Sequence, residues 1–323
     1  MKNSKVIGVI SPSSSIRPFP IRTRRAIDEL KKLGYKVIES DNFMAGSGYF
    51  AGTAQDRAED INRLCSNSEV QMILCSTGGL NSIEIIDNLD YPLIKRSGKS
   101  FIGSSDNTIL LIALYTQTKI ITFHGPSLLP DFGNFGGVNK DTLASFEKVH
   151  INMSGYVYPV SCPVCKEKLF WDKDDNRKPV YKLRSKVQSI TNGFAKGKII
   201  GGNLESLLSL AGTKYFPDFS KDNFILFVEE TCSDTAILRR SLKQLELMGV
   251  LEKIKGFIYS EPVKIIDRSK QGIQDILFDF LNRYKIPVAY GYCFGHTSPI
   301  LTVPIGARVE FTTSNKNTKL TIL

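Results

Sequence analysis

The sequence has little histidine, little cysteine and no long uninterrupted apolar run. Only 3 of its 323 residues are histidine and 6 are cysteine. Several cysteines lie in strand-like apolar runs, where a free thiol behaves as a small hydrophobe, so we expect no disulfide framework. No stretch approaches the roughly 20 apolar residues that a membrane helix needs, so we expect no membrane partner. The remaining composition, with 42% apolar and 23% charged residues, is that of an ordinary globular protein.

The N-terminal segment lacks the features of a secretory signal. Residues 6–10 are apolar, but this run is too short for a signal-peptide core and no small-residue cleavage site follows it. We interpret the run as a first buried strand. The prediction that follows is a cytoplasmic protein.

The formal net charge of +10 is spread along the whole chain. No zinc-finger or RNA-recognition pattern accompanies the Lys and Arg residues. A solvated basic surface is our first interpretation of this charge. Attraction of a small substrate that carries a carboxylate or phosphate is the second, and we expect no nucleic-acid polymer as a partner.

The sequence lacks the common metal and nucleotide motifs. It has no H-E-x-x-H, no G-x-x-x-x-G-K-[ST] and no G-x-G-x-x-G. Cys162 and Cys165 have the C-x-x-C spacing, but no second pair or suitably spaced histidines complete a zinc site. We therefore expect neither a metal nor another cofactor.

The first half of the chain alternates strand and helix patterns. Such alternation predicts an α/β fold with a parallel sheet that is covered on both faces. Ligands of such sheets bind beyond the carboxyl ends of the strands, so the residues just after each strand are the candidates for function. The predicted strands are residues 5–10, 35–39, 70–75, 100–103 and 120–123, and the predicted helices are 22–33, 53–67, 82–89 and 107–116.

The length exceeds what one hydrophobic core usually supports, so we expect two domains. An N-terminal α/β domain over residues 1–153 precedes an interdomain connection over 154–188, which contains the charged run 172–178. A C-terminal domain follows over 189–323. Its predicted elements are a helix to 211, a strand at 224–228, a helix at 236–248, strands at 256–259 and 287–292 around a helix at 272–284, and a hairpin of 307–311 with 319–323.

Ser105 is the first candidate for catalysis. It lies between the predicted strand end at Gly103 and a predicted helix start near Thr108. A serine at so sharp a turn has its Oγ exposed, and the helix N-terminus offers free N–H groups to a developing oxyanion. This is the logic of the nucleophile elbow, although G-x-S-x-G is absent. The alternative is that Ser104, Ser105 or Asp106 merely caps the helix.

Two further strand ends carry residues that suit a hydrolase. Gly78 and Gly79 follow the third predicted strand. One interpretation is that they let a ligand approach the backbone closely, and the other is that they form an ordinary turn. Glu229 ends the apolar run 224–228, where a carboxylate is costly unless it has a partner. It could orient a histidine or pair with Arg239 or Arg240, and Glu230 competes for the same role.

A serine hydrolase usually needs a histidine as its base. His296 lies just beyond the predicted strand 287–292 and is the best base by position. His124 also follows a predicted strand and could line the same edge. We expect His150, in a region without turn patterns, to be structural.

With these residues in view, the sequence resembles the LD-carboxypeptidase family of serine peptidases. That family includes muramoyltetrapeptide carboxypeptidases and microcin C self-immunity peptidases, and the resemblance runs along nearly the whole chain. The matching stretches are 10–13 (ISPS), 48–53 (GYFAGT), 56–57 (DR), 78–82 (GGLNS), 103–108 (GSSDNT), 124–126 (HGP), 201–204 (GGNL), 226–229 (LFVE) and 295–296 (GH).

The resemblance implies a fold and a catalytic site. The fold would be a flavodoxin-like parallel-sheet N-terminal domain and a smaller β-rich α/β C-terminal domain, commonly in a homodimer. Ser105 would be the nucleophile, Glu229 the orienting carboxylate and His296 the base. The backbone N–H groups of Gly79 and Asp106 would form the oxyanion hole.

Three departures bear on the branch of the family. Residues 77–82 read TGGLNS, where cell-wall members often carry Arg-Gly-Gly-Tyr-Gly, and many members have Asp where this chain has Glu230. The TGGLNS form of residues 77–82 is closer to the microcin-immunity branch. That branch stacks loop tryptophans on a nucleotide base, and Trp171 lies in the matching loop. As the single Trp of the chain, it is either such a contact or a structural residue. Asn203, in the matching 201–204 stretch, is assigned to substrate binding.

The sequence therefore predicts a serine carboxypeptidase that forms an acyl-enzyme on an amide near the carboxyl end of a small, anionic, peptide-like substrate. A microcin C-like peptidyl or aminoacyl nucleotide is the first substrate hypothesis. Removal of terminal D-alanine from muropeptide tetrapeptides is the alternative. A rival from another class is a solute-binding protein of the same fold without catalysis.

Overall fold

The structure is a computed structural model that describes residues 5–167, 170–173, 175–268 and 270–323. Residues 1–4 of the predicted N-terminal domain and Asp174 of the charged run lie outside the described residues. In the described ranges, no helix is long and apolar enough to cross a membrane.

The described strands are numbered in chain order. They are β1 (Val6–Ile10), β2 (Lys36–Glu39), β3 (Met72–Cys75), β4 (Ser100–Gly103), β5 (Thr122–His124), β6 (Pro163–Val164), β7 (Leu183–Arg184), β8 (Gln188–Thr191), β9 (Gly193–Asn203), β10 (Phe224–Glu229), β11 (Cys232–Asp234), β12 (Gly256–Ser260), β13 (Lys264–Ile266), β14 (Val288–Tyr292), β15 (Val303–Ile305), β16 (Arg308–Thr313) and β17 (Lys319–Ile322).

The described α-helices are α1 (Pro20–Lys32), α2 (Ala54–Ser66), α3 (Tyr91–Ser97), α4 (Thr108–Thr118), α5 (Lys140–Ile151), α6 (Leu204–Ser209), α7 (Thr235–Leu247), α8 (Val250–Lys253) and α9 (Ile273–Leu281). Short 3-10 helices span Ser82–Asn88, Ser105–Asn107 and Asn282–Tyr284, and one π-helical turn spans Leu128–Phe132.

The first sheet confirms the predicted flavodoxin-like fold. Its strand order is β15-β5-β4-β3-β1-β2, and β1 to β5 are all parallel. The order 2-1-3-4-5 is typical of flavodoxin-like folds, and the residues of β1 and β3 are buried throughout because helices cover both faces. The carboxyl ends of β3, β4 and β5 thus meet at one edge, where the candidate site lies.

The second sheet confirms a β-rich C-terminal part. Its strand order is β17-β16-β9-β10-β12-β14-β8, with a parallel centre of β9, β10, β12 and β14 and antiparallel strands outside it. The apolar residues of β10 and β12 are buried, which agrees with the continuous apolar runs of the sequence. Glu229 is the last residue of β10.

Two elements join the halves of the molecule. β15 comes from the C-terminal half but pairs antiparallel with β5, placing Val303 opposite His124 in the first sheet. α4, which follows Ser105, is buried on nearly all sides and contacts α6 and β9 as well as β5. The helix that follows Ser105 is therefore part of both cores.

The predicted elements differ from the structure in several places. The predicted helix at 82–89 is a 3-10 helix over Ser82–Asn88, and the long strand β9 was not among the predicted elements. The helices α3 and α5 were not predicted. Within the predicted connection 154–188, β6 and β7 form a small antiparallel pair.

Candidate active site

Ser105 occupies a strained turn between β4 and α4. Its φ of +60° lies in the left-handed region, which is uncommon for a residue other than glycine and costs free energy. Ser104 before it makes no side-chain cap hydrogen bond, and neither does Asn107 before α4. The capping alternative is thus unsupported, whereas the strained turn is the conformation that a nucleophile elbow requires.

Gly78 and Gly79 pass close to this turn. A Cβ on Gly78 would lie 2.7 Å from Ser105 Cβ and 2.9 Å from Ser105 Oγ. A Cβ on Gly79, where φ is +156°, would overlap the hydroxyl groups of Ser13 and Ser14. Only glycine fits at both positions, because each packs closely against neighbouring serines. The loop of Gly78 and Gly79 therefore lies against the turn of Ser105.

Glu229 and His296 form a hydrogen-bonded pair. The two atoms His296 Nδ1 and Glu229 Oε2 are 2.7 Å apart, and the Glu229 side chain is only 1% exposed. Gly295 allows this contact, because a Cβ there would lie 2.6 Å from Glu229 Oε2. Arg239, one of the alternative partners, instead donates to Gln271. The carboxylate therefore holds the imidazole by Nδ1, which leaves Nε2 for a nucleophile.

The pairing shifts the pKa of Glu229 and the pKa of His296 in the directions that favour their charged forms. Burial by itself raises the pKa of Glu229, but the charge and hydrogen bond of His296 outweigh it and the pKa is lowered. Burial lowers the pKa of His296, and the charge and hydrogen bond of Glu229 outweigh that effect, with a smaller contribution from Asp131, so its pKa is raised. An imidazolium formed during catalysis would be stabilised here.

Glu230, the competing carboxylate, points elsewhere. It accepts a hydrogen bond from the hydroxyl of Tyr259, which also hydrogen-bonds Ser233. Burial raises the pKa of Glu230 to about 7, against the Tyr259 bond, and Glu229 adds to the increase. Of the two neighbouring glutamates, only Glu229 contacts the histidine.

His124 connects the two halves of the site. It pairs with Gly103 in the first sheet, two residues before Ser105, and its Nε2 donates to the carbonyl of Phe294, two residues before His296, at 2.6 Å. Its ring is fully buried, and burial lowers its pKa. His124 therefore lies at the predicted edge, behind the site rather than in it. His150 is structural as predicted, because its Nε2 hydrogen-bonds Ser100 Oγ at 2.9 Å.

A second series of contacts connects the strand of Glu229 to the helix that follows Ser105. Asn203 pairs with Glu229 across β9 and β10, and its N–H donates to Thr108 Oγ1 at 2.9 Å. Thr108 begins the helix that follows Ser105. In the described residues, Ser105 Oγ makes no hydrogen bond with His296 or any other group. Catalytic hydrogen bonds are often long in unliganded enzymes and tighten with substrate.

The two predicted substrate contacts have structural partners. The side chain of Asn203 caps α6, accepting from Ser206 N at 3.1 Å. Trp171 packs edge-on against Phe19, with ring centroids 5.2 Å apart, and the Arg22 guanidinium lies 4.9 Å from the Trp171 ring centroid. Asn203 and Trp171 therefore each have a structural contact within the chain.

Asp131 is a site residue that the sequence interpretation missed. Its Oδ2 accepts from Ser127 N at 2.8 Å, and Ser127 Oγ lies 3.2 Å from Ser104 Oγ beside the elbow. Burial raises the pKa of Asp131 to about 6, which Ser127, Arg22 and His296 oppose. The only nearby sequence pattern was the HGP motif, which lies five to seven residues before Asp131. A π-helical turn over Leu128–Phe132 brings Asp131 back toward the elbow, and such a turn has no sequence pattern of its own.

The interdomain connection contacts the loop of His296. Cys165 and Ser298 exchange backbone hydrogen bonds of 2.8 and 3.3 Å, and Tyr181 Oη lies 2.8 Å from Ser298 Oγ. Cys162 and Cys165 are buried free thiols. Among the residues that the structure describes, no group of three or more His, Cys, Asp or Glu side chains could hold a metal ion.

A serine in a strained strand-to-helix turn, two close glycines and a buried histidine–carboxylate pair are the parts of a serine hydrolase site. Comparison with known proteins gives the family. The LD-carboxypeptidase N-terminal domain matches residues 7–125 and the LD-carboxypeptidase C-terminal domain matches residues 196–311. The chain belongs to the LD-carboxypeptidase family and is a serine peptidase of the carboxypeptidase type.

The relatives span both branches of the family. A Vibrio cholerae protein with a carboxypeptidase name is 32% identical, over 97% of this chain and 94% of that protein. The microcin C7 self-immunity protein MccF of Escherichia coli is 30% identical, over 92% and 87%. A structure of MccF with glutamyl sulfamoyl guanosine has a TM-score of 0.89 at 29% identity, covering 100% of this chain and 96% of that one. The muramoyltetrapeptide carboxypeptidase of Oxalobacter formigenes has a TM-score of 0.79 at 26% identity, covering 98% of each chain.

Proposed function

We propose that Ser105, His296 and Glu229 act as a catalytic triad that hydrolyses an amide bond near the carboxyl end of a small peptide-like substrate. The observation that carries the proposal is the His296–Glu229 pair, with its 2.7 Å hydrogen bond. His296 Nε2 takes the proton of Ser105 Oγ as the serine attacks the carbonyl carbon. Glu229 stabilises the imidazolium, and the protonated histidine then gives the proton to the leaving amine.

The N–H groups of Gly79 and Asp106 hold the negative charge of the tetrahedral intermediate. Water then attacks the acyl-enzyme, with His296 again taking a proton, and Ser105 is released. The close packing of Gly78 on Ser105 and near Asp106 N supports this assignment, because Gly79 is the next residue of the same loop.

The first substrate proposal is a microcin C-like peptidyl or aminoacyl nucleotide, hydrolysed in self-immunity or detoxification. The closer structural similarity to MccF, with a TM-score of 0.89 against 0.79, supports it, as does the TGGLNS stretch at residues 77–82. The second candidate is the removal of terminal D-alanine from muropeptide tetrapeptides, which the Oxalobacter formigenes neighbour favours.

A basic residue next to the segment that contacts the His296 loop supports an anionic substrate. Lys166 follows Cys165, which pairs with Ser298 near His296, and its partly exposed side chain forms an ion pair with Glu261. We propose that Lys166 exchanges this partner for a carboxylate or phosphate of the substrate. Lys166→Ala would then raise KM for the anionic substrate without changing kcat.

Purified protein tests the proposal on both substrate types. We expect release of the aminoacyl group from a sulfamoyl adenosine analogue, and no release by Ser105→Ala. Cleavage of the tetrapeptide alone would favour the second candidate. If a fluorophosphonate probe labels neither the wild type nor Ser105→Ala, the serine nucleophile is refuted. The solute-binding protein without catalysis then becomes the favoured alternative. The predicted homodimer and cytoplasmic location stay predictions, which light scattering and cell fractionation test.

A further inference from the structure

The carboxylate of Asp106 connects the turn of the nucleophile to the glycine loop that faces it. Asp106 Oδ2 accepts hydrogen bonds from Ser82 N at 2.8 Å and from Ser13 Oγ at 2.6 Å. The Ser82 hydroxyl donates in return to the carbonyl of Asp106 at 2.7 Å. Asp106 therefore contacts the far end of the segment that begins at Gly78.

Ser13 continues this network into the loop itself. Its hydroxyl donates to Asp106 and accepts from Asn81 N at 3.2 Å. The neighbouring Ser14 N donates to the carbonyl of Gly78 at 3.3 Å. The loop is thus held at Gly78, Asn81 and Ser82, on both sides of Gly79.

The network is buried, which makes its hydrogen bonds strong and its geometry fixed. Ser13 and Ser82 are 0% exposed and Asp106 is 4% exposed. A buried carboxylate that lost these donors would be left without hydrogen-bond partners, which is energetically costly. A loop held in this way cannot move its peptides relative to the turn without breaking several bonds together.

The two proposed oxyanion donors lie on the two parts that the network joins. Gly79 N–H belongs to the loop and Asp106 N–H belongs to the turn. An oxyanion hole works only when both donors lie about 2.7–3.1 Å from one oxygen position. The separation between loop and turn is therefore the quantity that catalysis depends on.

We propose that the Asp106 carboxylate and the Ser13 hydroxyl are positioning residues that set the width of the oxyanion hole. The inference rests on the proposed function, because it assumes that Ser105 attacks a carbonyl. It gives Asp106 two roles, since its backbone binds the oxyanion and its side chain holds the second donor in place.

The test compares Ser13→Ala with Ser11→Ala. Ser11 is a buried serine directly after β1, and its hydroxyl bonds the carbonyl of Phe43 and the hydroxyl of Ser76, neither of which bonds Ser13 or Asp106. Each variant removes one buried hydroxyl, so their losses of thermal stability should be similar. The readouts are kcat and KM with the cleaved substrate, and the second-order rate of fluorophosphonate labelling of Ser105.

We expect Ser13→Ala to lower kcat and the labelling rate about 10- to 100-fold with KM within threefold, since losing one oxyanion donor outright costs about 10²- to 10³-fold. Ser11→Ala should stay within threefold of wild type. Asp106→Ala should lose at least as much as Ser13→Ala. Asp106→Asn should recover most of the rate, because one amide oxygen can still accept both bonds.

Several results would overturn the inference. If Ser105 of Ser13→Ala is labelled at the wild-type rate, the positioning role is refuted and the proposed function is unaffected. Equal losses in Ser13→Ala and Ser11→Ala assign the effect to general stability and refute it as well. Wild type that is not labelled refutes the proposed function and the inference together. If Ser13→Ala does not fold, Ser13→Cys replaces it, because a thiol fills nearly the same space but is a weak hydrogen-bond donor, and an unchanged labelling rate there has the same meaning.

Discussion

Replacing Glu229 by glutamine removes the negative charge beside His296 and keeps nearly the same volume. In the proposed transition state His296 carries a positive charge, and its 2.7 Å hydrogen bond to Glu229 puts the two charge centres about 4 Å apart. Two unit charges at this distance interact with about 4 kcal/mol at an effective dielectric constant of about 20. Since about 1.4 kcal/mol corresponds to a tenfold rate, we expect Glu229→Gln to lower kcat about 10³-fold.

The assay measures kcat and KM with the cleaved substrate and, separately, the fluorophosphonate labelling rate. KM should change little, because the charge on His296 arises only during the reaction. Glu230→Gln is the matched control, since this adjacent buried carboxylate bonds Tyr259 and not the histidine. We expect the control to keep kcat within a few-fold. A Glu229→Gln variant with more than a tenth of the activity, or a control that loses as much, would refute the assignment of roles.

Three further predictions concern pH and the aromatic contact. Because the pKa of His296 is raised above 6.5 and the base must be neutral, the acid limb of kcat/KM should lie above pH 6.5 and move to lower pH in Glu229→Gln; a limb that does not move contradicts the pairing. The pKa of Glu230 rises from 4.5 to about 7 on folding, so its contribution to the free energy of unfolding is greatest below pH 4.5 and falls as pH rises through 7. This loss is about 3 kcal/mol, so urea unfolding should find Glu230→Gln more stable than wild type at pH 8 and not at pH 5. Finally, Trp171→Ala removes the contact with Arg22 and should lower the free energy of unfolding by about 2 kcal/mol, with KM for a nucleotide substrate within threefold; a tenfold higher KM at unchanged stability would indicate base stacking instead.

The sequence predicted the parallel strands β1 to β5 because buried parallel strands are continuous apolar runs. Glu229 ends β10, and Ser105 and His296 come two and four residues after β4 and β14. Within each sheet the carboxyl ends of parallel strands share an edge, so the sequence could place each of these residues at a strand end. The meeting of the two sheets at these ends depends on contacts such as that of His124 with Phe294.

The residues that escaped prediction act through contacts between distant segments. Ser13 and Ser82 meet Asp106 across 93 and 24 residues, and a buried serine has no pattern that distinguishes it from a turn residue. β15 was missed because three residues with Pro304 in the middle carry too little periodicity to predict a strand. Its partner β5 lies in the other half of the chain, so its pairing depends on tertiary packing.

The pairing of β15 with β5 also orders events during synthesis. Domains generally fold as they emerge, N-terminal part first, and an unpaired strand edge is prone to association with other chains. Here the edge of β5 stays open until Val303–Ile305 has been made, after Glu229 and His296. The first sheet is thus completed only once the full set of proposed catalytic residues has been synthesised. A nascent chain that contains Ser105 but not yet Glu229 and His296 would therefore be unable to hydrolyse a substrate.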